Sequence, residues 1–316
     1  MRKPRAALAC LALLALAPLP ARAQVPAFQF AFGSAGSGAG QFQLPHGLAV
    51  APDGSIYIGD TANSRVQRFD ANGGYVSQWS ASLPGGAAID ADGNLLVIDV
   101  NADRVLRYST SGTFLGSFGG SGSADGKLAF PLDIGVDDAG FIYVADWLNH
   151  RVQKFTAAGA FLLAWGTQGS GSGQFEQPSS VAFGTDGSVY VTDLTLDRVQ
   201  RFTADGGFLS SFGGTGTGPG QLSSPTGIVV DGNGFVLVMD AGNGRVAAFR
   251  EDGSFVLTFG SEGSLPGQFF HPAAIDVDPL GRILVLDKDN SRVQVFATLA
   301  TPVRRKTWGA LKSHFR

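Results

Sequence analysis

The sequence predicts an all-β fold, a six-bladed β-propeller of four-stranded antiparallel blades. One motif recurs six times at a near-constant step, each repeat resolves into four short strands, and no segment sustains a helical period. The motif is an aspartate, four residues, then Arg-Val. It reads Asp60 to Arg65, Asp99 to Arg104, Asp146 to Arg151, Asp193 to Arg198, Asp240 to Arg245 and Asp287 to Arg292. The steps between aspartates are 39, 47, 47, 47 and 47 residues, near the 40–50 range of propeller blades.

Blade 1 shows how each unit is built. Gly47 to Ala51 is the innermost strand, and Pro52-Asp53-Gly54 turns it into Ile56-Tyr57-Ile58. A loop from Asp60 to Ser64 leads to Val66 to Phe69, and Asn72-Gly73-Gly74 turns into Tyr75 to Trp79. Gly, Asn and Asp tolerate the backbone angles of tight hairpins. The strand residues are β-branched and aromatic and alternate over a few positions.

A glycine-rich connection joins successive blades, as in Gly169-Ser-Gly-Ser-Gly-Gln-Phe175 and again from Gly214 to Leu222. Blade 2 lacks it, since Trp79 reaches Pro84 in five residues, which accounts for the 39-residue step. Outer strands end in an aromatic and a small residue: Trp79-Ser80, Phe118-Gly119, Trp165-Gly166, Phe212-Gly213 and Phe259-Gly260. The sixth such pair stands at the other end, in Phe28 to Gly33, so the N-terminal strand is expected to complete the last blade. Closure of this kind removes an unpaired sheet edge.

Residues 1–23 read as a cleaved export signal: Arg2, Lys3 and Arg5, an apolar run from Ala6 to Leu19, then Ala21-Arg22-Ala23. The run is too short for a membrane span. The propeller is expected over 24–300 and a basic tail over 301–316. The location expected is extracytoplasmic, periplasmic or secreted. Cys10, the single cysteine, falls inside the signal, so the mature chain is expected to hold no disulfide. Beyond residue 23 there are 19 basic and 26 acidic residues, a net of −7. Thr301 to Arg316 carries five of the bases and no acid. The acidic body opposes a bulk grip on nucleic acid, and membrane contact is expected only through the tail. The chain is expected to be a monomer.

The repeats closely resemble the NHL-repeat family of β-propellers. The Tyr-Val-x-Asp-x-x-Asn-x-Arg-Val-Gln-x-Phe pattern runs from Tyr143 to Phe155, with departures at Ala102 and Leu196, where the pattern has Asn. The resemblance implies the fold. It leaves function open, because the family includes scaffolds, RNA-binding regulators and a few enzymes. The peptidyl-amidating lyases resemble it in fold and hold zinc through histidines that follow the inner-strand proline. Here only Pro45-His46 fits; the other blades have Gly85, Leu132, Ser179, Thr226 and Ala273. One histidine cannot make a three-ligand zinc site, so no metal and no cofactor are expected.

The motif Asp and Arg are assigned to blade architecture, since one active centre has no use for the same pair in every blade. The glycine connections lack the helix and Lys-Ser/Thr of a phosphate loop. Asp287 and Asp289 could offer oxygens to Ca²⁺, against the alternative of a solvated loop. His46 and Asp133 are the only acid–base candidates at the inner-strand mouth. The unrepeated feature is apolar: Leu132, Trp147, Leu148, Leu194 and Leu196 gather where blades 3 and 4 meet one face. An exposed apolar patch marks a partner or ligand site, whereas packing under the connections would be structural. The leading expectation is a binding or scaffolding module for a protein, peptide or small ligand on this face. The alternative is a lyase or hydrolase at the channel mouth.

Overall fold

Six sheets of four antiparallel strands, each begun beside the channel and finished at the rim, make up the propeller. The computed structural model describes residues 24–299. The signal expected over 1–23 and the tail over 301–316 lie outside the described residues. Strand β1 (Phe28–Phe32) comes first in the chain. Blade 1 is β2 (Gly47–Val50), β3 (Ile56–Asp60), β4 (Arg65–Phe69) and β5 (Tyr75–Ser80). Blade 2 is β6 (Pro84–Ile89), β7 (Leu95–Asp99), β8 (Arg104–Tyr108) and β9 (Phe114–Gly119). Blade 3 is β10 (Pro131–Val136), β11 (Ile142–Asp146), β12 (Arg151–Phe155) and β13 (Phe161–Trp165). Blade 4 is β14 (Pro178–Phe183), β15 (Val189–Asp193), β16 (Arg198–Phe202) and β17 (Phe208–Gly213). Blade 5 is β18 (Pro225–Val230), β19 (Phe235–Asp240), β20 (Arg245–Arg250) and β21 (Phe255–Phe259). Blade 6 is β22 (Ala274–Val277), β23 (Ile283–Asp287) and β24 (Arg292–Phe296).

The ring closes as the terminal aromatic pairs imply. Strand β1 runs antiparallel to β24, with Phe30 opposite Val295 and Phe32 opposite Val293. Phe28 meets the ring of Phe296 edge-on at 5.9 Å, and Phe32 reaches forward to Phe69 of blade 1 at 5.0 Å. The first strand is therefore held both in its own blade and against the next.

The core lies between blades. The second strand of each blade is buried throughout, and Tyr57, Tyr143 and Tyr190 are among its largest enclosed side chains. Each large apolar side chain so enclosed contributes about 1.5–3 kcal/mol. Outer-strand aromatics lock neighbouring blades: the ring of Trp165 in blade 4's predecessor lies where a Cβ on Gly206 would sit 2.8 Å away, and Gly206 has φ +82°. Only glycine meets both demands.

Each glycine-rich connection delivers one apolar side chain into the same interior. Phe42, Leu128, Phe175, Leu222 and Phe269 are all fully buried. Blade 2 receives no such plug, because its connection is Ala81 to Leu83.

Candidate functional site

The repeated Asp and Arg clamp the connections to the blades. Asp60 is fully buried and accepts from the Gln43 N–H at 2.7 Å, Asn63 Nδ2 at 2.9 Å, Arg65 Nε at 2.7 Å and Gln67 Nε2 at 3.1 Å. The guanidinium of Arg65 then donates to the carbonyls of Ser37, Gly38 and Gln41. The pairing runs through Nε alone, which frees the rest of the fork for the loop backbone. Blades 3, 5 and 6 repeat it through Asp146–Arg151, Asp240–Arg245 and Asp287–Arg292. In blade 4, Asp193 serves the N–H groups of Glu176, Gln177 and Leu196. Arg198 still grips three loop carbonyls there, but its Nε has no partner among the described residues. These residues build the blade, as their repetition implies.

The calcium alternative finds its oxygens engaged. Asp287 is fully buried and bonded to the Phe270 N–H, Asn290, Arg292 and Gln294, so it is not a solvated loop residue. Asp289 accepts from His271 Nδ1 at 2.7 Å. Among the described residues no group of three or more His, Cys, Asp or Glu side chains is placed to hold a metal ion.

The inner strands enclose a central channel of about 530 Å³, running from His46, Leu132 and Thr226 near the connections to Pro52 and Pro279 in the hairpin turns. Its walls are mostly Gly, Ala, Leu, Ile and Val, because the inner strands meet too closely for large side chains. Six titratable groups interrupt them, His46, Asp90, Asp133, Asp138, Asp276 and Asp278, and burial shifts three. Burial pulls His46 down to about 4, helped by the positive charge of Lys288, so its imidazole is neutral at physiological pH. Burial pushes Asp133 up to about 6, against the pull of its hydrogen bonds to Ser180 Oγ and the Ser180-adjacent Val181 N–H. Burial pushes Asp276 up to about 7, and the charges of Asp133 and Asp278 add to the rise.

Both carboxylates also have structural work. Asp133 leaves blade 3 to bond blade 4, and Asp276 leaves blade 6 to accept the Val50 N–H of blade 1 at 2.8 Å. His46 and Asp133 line the same channel, but Asp133 is bonded to Ser180 and no hydrogen bond joins it to His46. Asp276 was not among the sequence candidates. Its signal was available: it is the one charged residue at the fourth position after the inner-strand proline, where the other blades have Ala49, Ala88, Gly135, Ala182 and Val229.

The channel rim has two characters. Residues just before the inner-strand proline stand outward, and five of them take left-handed backbone angles without being glycine: Leu44 (φ 46°), Leu83 (32°), Phe130 (49°), Ser224 (46°) and His271 (44°). Such angles are strained for bulky residues and mark positions where geometry is imposed. Blades 1 to 3 present Leu44, Leu83 and Phe130, all exposed; blades 4 to 6 present Gln177, Ser224 and His271.

Of the apolar candidates, Leu132 lines the channel and is half-buried. Trp147 is half-buried against Phe130, ring centroids 4.9 Å apart, and its Nε1 is shielded with no partner among the described residues. Leu148 is 55 % exposed. Leu194 and Leu196 are half-buried on the turn after Asp193, one blade further on. Phe130 is a member of this surface that the sequence candidates omitted; it stands two residues before Leu132, on the connection and not on a strand.

The family model of the NHL repeat matches residues 42–69, 128–155, 222–249 and 269–296. With these repeats set in six blades closed on themselves, the chain is an NHL-repeat β-propeller. The matched repeats are those of blades 1, 3, 5 and 6; blades 2 and 4 carry Ala102 and Leu196 in place of the pattern's Asn. No curated protein matches the chain. Among solved structures it is similar to a streptogramin B lyase, at 13 % identity and TM-score 0.59, over 81 % of this chain and 93 % of that one. It is similar to a gluconolactonase from Xanthomonas campestris, at 18 % identity and TM-score 0.63, over 91 % and 99 %. A protein of unknown function from Bacteroides thetaiotaomicron gives 18 % and TM-score 0.66, over 84 % and 74 %. At these identities the likeness is one of fold.

Proposed function

We propose that this propeller is a binding module, exported from the cytoplasm, that seats a protein, peptide or small ligand over the channel mouth on the face bearing the connections. The observation that carries the reading is the Phe130–Trp147 pair at 4.9 Å, with Leu148 exposed beside it and an indole N–H that no described residue accepts. Aromatic anchors with an unused donor are the composition of an interface centre. The division of the rim adds direction: the ligand lays an apolar side over blades 1 to 3 and a polar side over blades 4 to 6. Native mass spectrometry of the chain recovered from its own host tests this. The expected result is a retained ligand or partner that a Trp147→Ser, Leu194→Ser variant loses. A stoichiometric zinc ion, or retention unaffected by that variant, overturns it.

A second reading rests on the channel carboxylates. Asp133 and Asp276 are held near neutrality in an enclosed space, and shifted carboxyl groups in a cleft are what acid–base catalysis uses. In that reading Asp133 or Asp276 exchanges a proton with a bound substrate while neutral His46 accepts a hydrogen bond. It requires a hydrolase or lyase activity abolished by Asp133→Asn or His46→Ala.

A further inference from the structure

The five connections that are present define what blade 2 is missing. In each of the other blades the motif Arg donates to two or three backbone carbonyls of a glycine-rich segment, and the motif Asp accepts from a backbone N–H of the same segment. Blade 2 keeps both residues and has no segment. Asp99 is 1 % exposed, and its Oδ1 has no hydrogen-bond partner among the described residues. Ser82 stands where the donating residue stands elsewhere, two before the proline, but it arrives straight from β5 and does not reach the carboxylate.

Arg104 is left equally idle. Its Nε donates to Asp99 Oδ2 at 3.0 Å, and its side chain is 44 % exposed, against 10 %, 12 %, 15 % and 17 % for Arg65, Arg151, Arg245 and Arg292. Blade 2 also carries Tyr108 where the other blades have Phe, and its hydroxyl is near enough to Asp99 and Arg104 to feel their charges. A guanidinium without its carbonyls, a shielded carboxylate oxygen without its donor and an added hydroxyl face one vacated berth. An unpaired shielded polar atom such as Asp99 Oδ1 is costly, and a segment of backbone would satisfy it together with the exposed Arg104 guanidinium.

We infer that the blade 2 berth is a second binding site, which takes an extended, glycine-containing peptide segment of another protein in the place of the missing connection. Two successive carbonyls of that segment accept from Arg104, and a backbone N–H donates to Asp99. Glycines are required because the resident connections run through left-handed angles, as at Gly169 (φ +145°) and Gly173 (φ +75°). The inference does not rest on what binds at the channel rim.

The test uses the full chain and a fluorescent peptide copying residues 169–175, Gly-Ser-Gly-Ser-Gly-Gln-Phe. Fluorescence anisotropy should show saturable binding, weakened at least about tenfold in Arg104→Ala through loss of charge-assisted hydrogen bonds, and absent for the same peptide with every glycine replaced by valine. A second variant carries the seven residues inserted between Ala81 and Ser82; with the berth filled in cis it should melt higher than the parent and no longer bind the peptide. No saturable binding to the unaltered chain, or binding that Arg104→Ala leaves unchanged, overturns the inference. A concentration-dependent dimer abolished by Arg104→Ala would make a second copy the occupant and overturn the assignment to another protein.

Discussion

Asp276 of blade 6 accepts a hydrogen bond from the backbone N–H of Val50 in blade 1, 2.8 Å away and 226 residues distant in sequence. The contact crosses the seam where the first and last blades meet, on the channel side, while β1 and β24 close the same blade at its rim. The ring is thus fastened at both ends of one blade, by a strand outside and a carboxylate inside.

The seam carboxylate gives the fold a pH dependence of definite sign. Asp276 is raised to about 7 from 3.8, so the folded state holds its proton where the unfolded chain has lost it. That contribution is complete below about 4 and disappears as pH rises through about 7. Asn keeps an acceptor for Val50 and cannot ionise. Asp276→Asn should therefore melt above the parent at pH 8 and close to it at pH 4.5 by differential scanning fluorimetry. Equal differences at both pH values would show that Asp276 does not titrate in this range.

His46 acts in the opposite direction. Its pKa is depressed to about 4 from 6.5, so its contribution is present above 6.5 and is lost as pH falls towards 4. His46→Gln should lose less stability than the parent between pH 6.5 and 4. A parallel loss in both proteins would contradict the channel placement.

The closing strand is open to a simple deletion. Removing residues 24–33 exposes β24 and removes Phe30 and Phe32, each contributing about 1–2 kcal/mol for a half-buried aromatic, from a domain whose whole stability is about 5–15 kcal/mol. The shortened chain should melt much lower or aggregate. An unchanged melting temperature with monomeric elution would rule out closure by β1.

The motif arginines should differ according to whether their connection exists. Arg65 is clamped between Asp60 and three carbonyls, and Arg65→Ala leaves a buried carboxylate without its cation and those carbonyls without their donor, a loss of about 4–5 kcal/mol. Arg104 bonds only Asp99, which is buried, so Arg104→Ala strands that carboxylate but breaks no loop contact and should cost less, about 3 kcal/mol. Urea unfolding of the two variants measures the contrast; equal losses would mean that the connection contributes nothing to the clamp.

Much of this was readable because the chain repeats itself. The 39-residue step marked the blade without a connection, and Ala102 and Leu196 marked blades 2 and 4. In those blades the Asp cluster departs from the rest, with Asp99 Oδ1 and Arg198 Nε unpaired among the described residues. Phe28 to Gly33 located the closing strand because its aromatic-small ending had five copies elsewhere. What repeats could not show was which unrepeated side chains converge. Asp276 lies in a strand otherwise apolar, and its partner Val50 is a backbone group with no sequence signature. Phe130 sits on a connection, where no strand period fixes its direction. Trp147 and Leu148 were legible as departures from the small or polar residues of blades 1, 5 and 6. The Nε-only geometry of the Asp–Arg pairs, which leaves the fork to the loop carbonyls, follows from packing that spacing does not encode.

The most direct measurement compares two variants against whatever the chain retains when recovered from its own host. Trp147→Ser with Leu194→Ser should release that ligand or partner, while His46→Ala should keep it, since the imidazole lies in the channel wall and not among the rim anchors. The reverse pattern, with retention in the rim variant and loss together with a lyase or hydrolase activity in His46→Ala, would contradict the binding module and move the working site into the channel.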